Sequence, residues 1–213
     1  MSEPTTLTIA RLCNLIYQNL SDPTWKQVWQ KDDVIVGHAV VEGVDFVILR
    51  GSVSTEDWLR DFEAVPVEDA LLGTVHLGFL TGMDDVYAEV SAVVGHSVAI
   101  GGHSLGGARA RILAGLFVAN GNKAEVMLCT FGSPKPGYQK LADILESGNV
   151  WHQSRRNALD VVPTLPPLGE WVHTEQYLSV NVPAASIFSE FSDHHMPLYL
   201  EAEVQLCNQP QIE

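Results

Sequence analysis

Val98-Ala99-Ile100-Gly101-Gly102-His103-Ser104-Leu105-Gly106-Gly107 reads as a short apolar strand, a turn with a serine at its apex, and the start of a helix. Gly102-His103-Ser104-Leu105-Gly106 fits G-x-S-x-G, the pattern of a nucleophile elbow. Where a strand reverses sharply into a helix, the residues two before and two after the apex come close together. A side chain at Gly102 or Gly106 would collide there, and glycine also tolerates the backbone angles required. The apex aims the Ser104 hydroxyl out of the sheet, and the helix N-terminus offers free N–H groups to developing negative charge. The bare pattern recurs by chance in roughly one chain in fifteen of this length, and an ordinary glycine-packed turn is the competing reading. The context argues for the elbow. Residues 98–100 suit a buried strand, and Leu105, Ala108, Ile112, Leu113, Leu116 and Phe117 fall at helix spacing.

Outward from this turn, strands and helices alternate. Residues 6–20 read as a helix with Ile9, Cys13, Ile16, Tyr17 and Leu20 on one face, stopped by Ser21-Asp22-Pro23. Residues 34–41 and 44–50 read as a hairpin turning at Glu42-Gly43. Residues 55–62 read as a short amphipathic helix with Trp58, Leu59 and Phe62 on one side, either a lid over an apolar cleft or a helix packed on the core. The pattern alone favours the core. A long helix runs to about residue 94 with Phe79, Met83, Val86, Tyr87, Val90 and Val94 as its inner stripe. Strands are expected at 124–131, 150–156 and 171–180, a helix ending near 147, and a last helix over 193–207. This order implies an α/β fold, a mostly parallel sheet with helices on both faces. Repeats, low-complexity segments and linkers are absent, so residues 1–213 read as a single domain.

Composition narrows the partners. With 213 residues, 46% of them hydrophobic, the chain suits one well-buried domain and is short for two. A net charge of −14 argues against nucleic acid and against attraction to anionic headgroups, and says nothing against uncharged esters. Cys13, Cys129 and Cys207 are far apart and odd in number, which suggests neither a disulfide framework nor a zinc motif. Met1-Ser2-Glu3-Pro4 lacks a basic region, and Arg11 and Asn14 interrupt the adjoining apolar segment, so no secretory signal peptide is read. No run is long and apolar enough to span a membrane. These features favour the cytoplasm over secretion, the compartment being otherwise unassigned.

A serine hydroxyl needs a histidine to take its proton and a carboxylate to orient that histidine. On such a sheet, ligands sit beyond the carboxyl ends of the strands, and the chain order is serine, acid, histidine. His152 and His173 fall inside strand-like segments, whereas His194 and His195 open the last helix after a polar loop. Asp160, in a loop after a strand and followed by prolines, is the best carboxylate, with Glu170 and Asp193 weaker candidates.

Here the chain resembles the class 3 lipase family of α/β-hydrolases, which includes the fungal triacylglycerol lipases. The matching pieces run in order: Leu49-Arg50-Gly51-Ser52, Asp57 to Asp61, Val75-His76-Leu77-Gly78-Phe79, Gly102 to Gly107, Thr130 to Pro134, Asn157 through Asp160 to Pro163, Leu165-Pro166-Pro167, and Asp193-His194. The resemblance implies Ser104 as nucleophile, Asp160 as orienting acid and His194 as general base. It implies an oxyanion hole from the N–H groups of Ser52 and Leu105, and a lid over residues 54–62 carrying Trp58, Leu59 and Phe62. His76 and His103 lie in family motifs and read as structural. His195 remains the alternative base, because the fungal secreted members have a histidine closely followed by an aromatic pair where this chain has His194-His195-Met196-Pro197-Leu198-Tyr199. The expected function is a serine carboxylic ester hydrolase acting on acylglycerols or related esters, at a lipid–water interface where the substrate forms one, with no metal or organic cofactor. A short-chain or phenolic-ester esterase, a phospholipase A1, and a catalytically silent binding protein are the alternatives.

Overall fold

The computed structural model describes residues 5–52, 63–148, 150–157, 160–174, 177–182 and 192–208. Helix α1, Thr5–Gln18, buries Ile9, Cys13 and Ile16 of the face expected from its periodicity, and Ala10 beside them. Strands β2, Val34–Val41, and β3, Val44–Leu49, pair antiparallel through Glu42 and Gly43, at φ 51 and 81. Two successive positive φ values are what a two-residue hairpin of matching twist requires. Strand β1, Trp25–Lys31, adds to the free edge of β2. It is invisible to periodicity because Lys26, Gln27, Gln30 and Lys31 dominate it, as befits a strand at a sheet edge.

The parallel part begins at β3. Strands β6, Ser97–His103, β7, Glu125–Phe131, β8, Val150–Asn157, and β9, Tyr177–Val180, follow it, giving a seven-stranded order β1-β2-β3-β6-β7-β8-β9. The intervening β4, Pro66–Asp69, and β5, Gly73–His76, form a separate small hairpin. The elbow strand β6 therefore lies between β3 and β7, buried from Val98 to its end. Alternation along it divides the core, as a period of two dictates. Val98 and Ile100 face one cluster, with Phe79, Met83, Ile112, Leu113, Phe117 and Leu141. Ala99 faces the other, with Ile9, Cys13, Ile48, Phe131 and Tyr199.

The first cluster is covered by α2, Leu77–Leu80, α3, Met83–Ser91, α4, Leu105–Ala119, and α5, Gln139–Ser147. The second is covered by α1 and α6, Met196–Asn208, which pack on each other. The sheet is parallel from β3 to β9 with helices on both faces, an α/β-hydrolase fold. α4 is buried all round from Leu105 to Phe117 and carries two arginines at 1% exposure, each paired through its terminal guanidinium nitrogens. Arg109 reaches the Asp33 carboxylate at 2.7 Å, and Arg111 donates to Thr130, Ser133, Ser154 and the Pro134 carbonyl.

Two expectations are corrected. The long helix before residue 94 is broken into α2 and α3, because Gly82 at φ 80 leaves the helical region between them. Of its inner stripe, Phe79, Met83, Val86 and Val90 are buried, Tyr87 is half-buried, and Val94, also half-buried, lies past the end of α3. Among the described residues, the strand expected over 171–180 is β9, and Val172 makes an isolated bridge to Gly137. The helix expected over 55–62, with Trp58, Leu59 and Phe62, lies outside the described residues.

Candidate active site

Ser104 sits between β6 and α4 at φ 59 and ψ −132, a conformation that non-glycine residues hold only under surrounding constraint. Its own N–H donates to the Phe131 carbonyl at 3.0 Å, tying the apex to the neighbouring strand. The flanking glycines are needed for the reason the pattern suggests. A Cβ on Gly102 would stand 2.2 Å from the Gly106 carbonyl oxygen, and one on Gly106 would stand 2.1 Å from that of Leu49. The first N–H groups of α4, those of Leu105 and Gly106, have no intrahelical acceptor. From the other side comes the end of β3. A Cβ on Gly51 would lie 2.6 Å from the His103 carbonyl and 3.1 Å from the Ser104 Cβ, so the chain entering Ser52 passes beside the apex.

Asp160 is 1% exposed and accepts three hydrogen bonds. His194 donates from Nδ1 to Oδ2 at 2.7 Å, the Tyr199 hydroxyl donates to the same oxygen, and the Val162 N–H donates to Oδ1 at 2.9 Å. With Nδ1 committed to the carboxylate, the acceptor of the neutral His194 ring is Nε2. Among the described residues, that atom and Ser104 Oγ are both buried without a hydrogen-bond partner. A buried base and a buried hydroxyl with free valences exchange a proton once they come within hydrogen-bond reach. Gly132, at φ 55 just past β7, closes this corner: a Cβ there would fall 2.7 Å from Asp160 Oδ2 and 2.8 Å from His194 Nδ1.

A second layer supports the first. His103 Nε2 donates to the His194 carbonyl at 2.6 Å, and the two rings lie 4.6 Å apart. That donation fixes the tautomer, so the Tyr17 hydroxyl donates to His103 Nδ1 at 3.0 Å while accepting from the Gly51 N–H at 3.1 Å. Burial, helped by the neighbouring His194, holds the His103 pKa well below its ordinary value. Burial pushes the Tyr17 hydroxyl up, and burial together with Asp160 does the same to Tyr199. Both phenols thus stay protonated donors.

The structure pairs Asp160 with His194, ties the His194 carbonyl to His103 next to Ser104, and runs Gly51, the residue before Ser52, alongside the Ser104 Cβ, with Leu105 opening α4 directly after Ser104. It leaves His195 and Glu170 exposed and Asp193 half-buried. His173 donates to the Pro163 carbonyl at 2.6 Å, and His76 caps α2 by accepting from the Gly78 N–H while stacked on Phe79. Trp58, Leu59 and Phe62 lie outside the described residues. Among the described residues, no cluster of His, Cys, Asp and Glu could hold a metal. Sequence reasoning missed Tyr17, Gly132 and Tyr199 as site residues. The signal for Gly132 was its place just beyond a parallel strand, like Ser104 and Asp160. For Tyr199 it was a tyrosine in the first turns of the helix that follows His194.

Comparison with known proteins places this geometry in context. The profile of the class 3 lipases matches residues 46–170. A Rhizomucor miehei lipase is 32% identical over 162 residues, 68% of this chain and 43% of that protein. The secreted mono- and diacylglycerol lipase 1 of Fusarium solani is 30% identical over 132 residues, 57% of this chain and 39% of that protein. The chain thus aligns with less than half the length of these relatives. A solved triacylglycerol lipase, described as having a serine protease triad for its catalytic centre, superposes with a TM-score of 0.65 at 27% identity, covering 76% of this chain and 72% of that one. The cytoplasmic expectation is corrected: the Fusarium solani relative carries the name of a secreted lipase.

Proposed function

The chain belongs to the class 3 lipase family, and from that premise we propose that it is a serine carboxylic ester hydrolase cleaving acylglycerols or related esters through an acyl-enzyme. The observation that carries this reading is the buried 2.7 Å pair of Asp160 and His194 beside the strained elbow of Ser104. In the first half-reaction His194 Nε2 takes the Ser104 proton as Oγ bonds to the ester carbonyl carbon. The N–H groups of Ser52 and Leu105 hold the resulting oxyanion. Asp160 keeps the imidazole oriented and stabilises its cation. The C–O bond to the alcohol then breaks, the alcohol leaving with the proton from His194. Water, deprotonated by the same histidine, releases the acid and restores Ser104. No step calls for a metal or organic cofactor.

Residues 1–213 act as one catalytic domain in this reading, with residues 54–62, including Trp58, Leu59 and Phe62, as a lid facing a lipid–water interface. The test is hydrolysis of nitrophenyl esters from acetate to palmitate, with Ser104→Ala as the blank. Ser104→Ala or His194→Ala is expected to cost on the order of a million-fold in turnover, and Asp160→Ala on the order of ten-thousand-fold. Loss of the whole Ser52 contribution is expected to cost roughly a hundred- to a thousand-fold. Activity rising at long chains above the solubility limit fits a lipase. Activity confined to short chains makes the protein an esterase, and equality with the blank at every length refutes the hydrolase reading.

A further inference from the structure

Asn157 closes β8 fully buried, and nothing in the reaction above uses it. Every polar atom of this residue is engaged. Its Oδ1 accepts from the Val182 N–H at 2.9 Å. Its Nδ2 donates to the Val182 carbonyl at 2.9 Å and to the Asp193 carbonyl at 3.1 Å. Its backbone N–H donates to the Tyr199 hydroxyl at 3.0 Å, the same hydroxyl that donates to Asp160. Its backbone carbonyl accepts from the Asp160 N–H at 2.8 Å.

These bonds reach both members of the acid–base pair. The Asp193 carbonyl belongs to the peptide group that enters His194, and the carbonyl of the group that leaves it is held by His103. The main chain of His194 is thus clamped on both sides, which leaves its ring little freedom to leave Asp160. We propose that Asn157 is a positioning residue, holding His194 against Asp160 by fixing the Asp193 carbonyl from the residue that also anchors Asp160 and Tyr199. An amide is required: one acceptor and two donors meet one N–H and two carbonyls. Aspartate has the same shape but would set a carboxylate oxygen against two carbonyl oxygens. Serine is smaller and cannot reach all three groups.

This inference rests on Ser104, Asp160 and His194 being the catalytic groups, so the experiment reads both activity and geometry. Asn157→Asp and Asn157→Ser are compared with wild type in the full chain. Steady-state hydrolysis of nitrophenyl butyrate gives kcat and KM, and proton NMR gives the downfield resonance of the His194 Nδ1–H in its bond to Asp160. The expected result is a kcat lowered about ten- to a hundred-fold at unchanged KM, with the downfield resonance shifted or lost. A kcat within about threefold of wild type and an intact resonance would overturn the proposal, whatever happened to the melting temperature. So would failure of both variants to fold, which would make Asn157 a folding determinant. If wild type itself shows no hydrolysis, the hydrolase reading fails, while the resonance still reports whether Asn157 holds the pair.

Discussion

Gly132→Ala probes the corner where acid and base meet with the smallest possible addition, one methyl group. Gly132 holds φ 55, and the added Cβ would lie 2.7 Å from Asp160 Oδ2, 2.8 Å from His194 Cε1 and 2.8 Å from His194 Nδ1. Ordinary contact begins near 3.4 Å, so the methyl and the pair must separate by about 0.7 Å. Both partners are buried and each is bonded elsewhere, Asp160 to Tyr199 and Val162, His194 through its carbonyl to His103. Neither can retreat without breaking something. The left-handed backbone adds about 1–2 kcal/mol for alanine, and overpacking typically adds about 1–3 kcal/mol, so a loss of roughly 2–5 kcal/mol of stability is expected. A displacement of this size in a reacting pair costs on the order of a hundred-fold, and complete loss of the orienting acid about ten-thousand-fold. The expected kcat therefore lies between those limits, measured on nitrophenyl butyrate with active sites counted by a fluorophosphonate. A folded Gly132→Ala protein with kcat within about threefold of wild type would refute the reasoning.

Tyr199→Phe removes the hydroxyl shared by Asp160 and the Asn157 N–H, and chemical denaturation is expected to show a loss of about 1–3 kcal/mol; an unchanged midpoint contradicts this. Glu203→Gln strips the charge from the buried 2.5 Å pair with Arg155 that ties α6 to β8, with an expected cost of about 3–5 kcal/mol; a loss below about 1 kcal/mol would mean the pair is screened. His103 has its folded pKa depressed below the ordinary 6.5, chiefly by burial. The unfolded chain therefore takes up the proton first. The associated stability is present above 6.5 and is lost as pH falls below it, by up to about 1.4 kcal/mol per pH unit. His76 shifts the same way through burial. Guanidinium unfolding of wild type and His103→Gln at about pH 8 and about pH 5.5 is expected to show the shallower loss in the variant; parallel losses would exclude His103 as a source.

The elbow was legible because its constraint is local. Glycines two before and two after a serine mark a close approach of backbones, and the Gly102–Gly106 and Gly106–Leu49 contacts are that approach. Place favoured Asp160 as the acid, since loops beyond the carboxyl ends of parallel strands converge, but it left His194 and His195 level, and the family resemblance chose His194. The supporting groups were not, because their meaning depends on neighbours remote in sequence. Tyr17 is one apolar-face residue of α1 until folding sets its hydroxyl between Gly51 and His103. Asn157 looks like the end of a strand until Val182 and Asp193 arrive at its amide. Strand β1 was missed because an edge strand buries little and so leaves little pattern. The helix break at Gly82 left the apolar stripe intact, so periodicity ran straight through it.

The most direct test of the central claim is covalent labelling of the whole protein with a fluorophosphonate, with the modified peptide then mapped by mass. The account predicts a single phosphonylated residue, Ser104, no labelling of Ser104→Ala, and labelling of His194→Ala slowed by about a thousand-fold or more. Label on another serine, or ester hydrolysis that survives in Ser104→Ala, would contradict it.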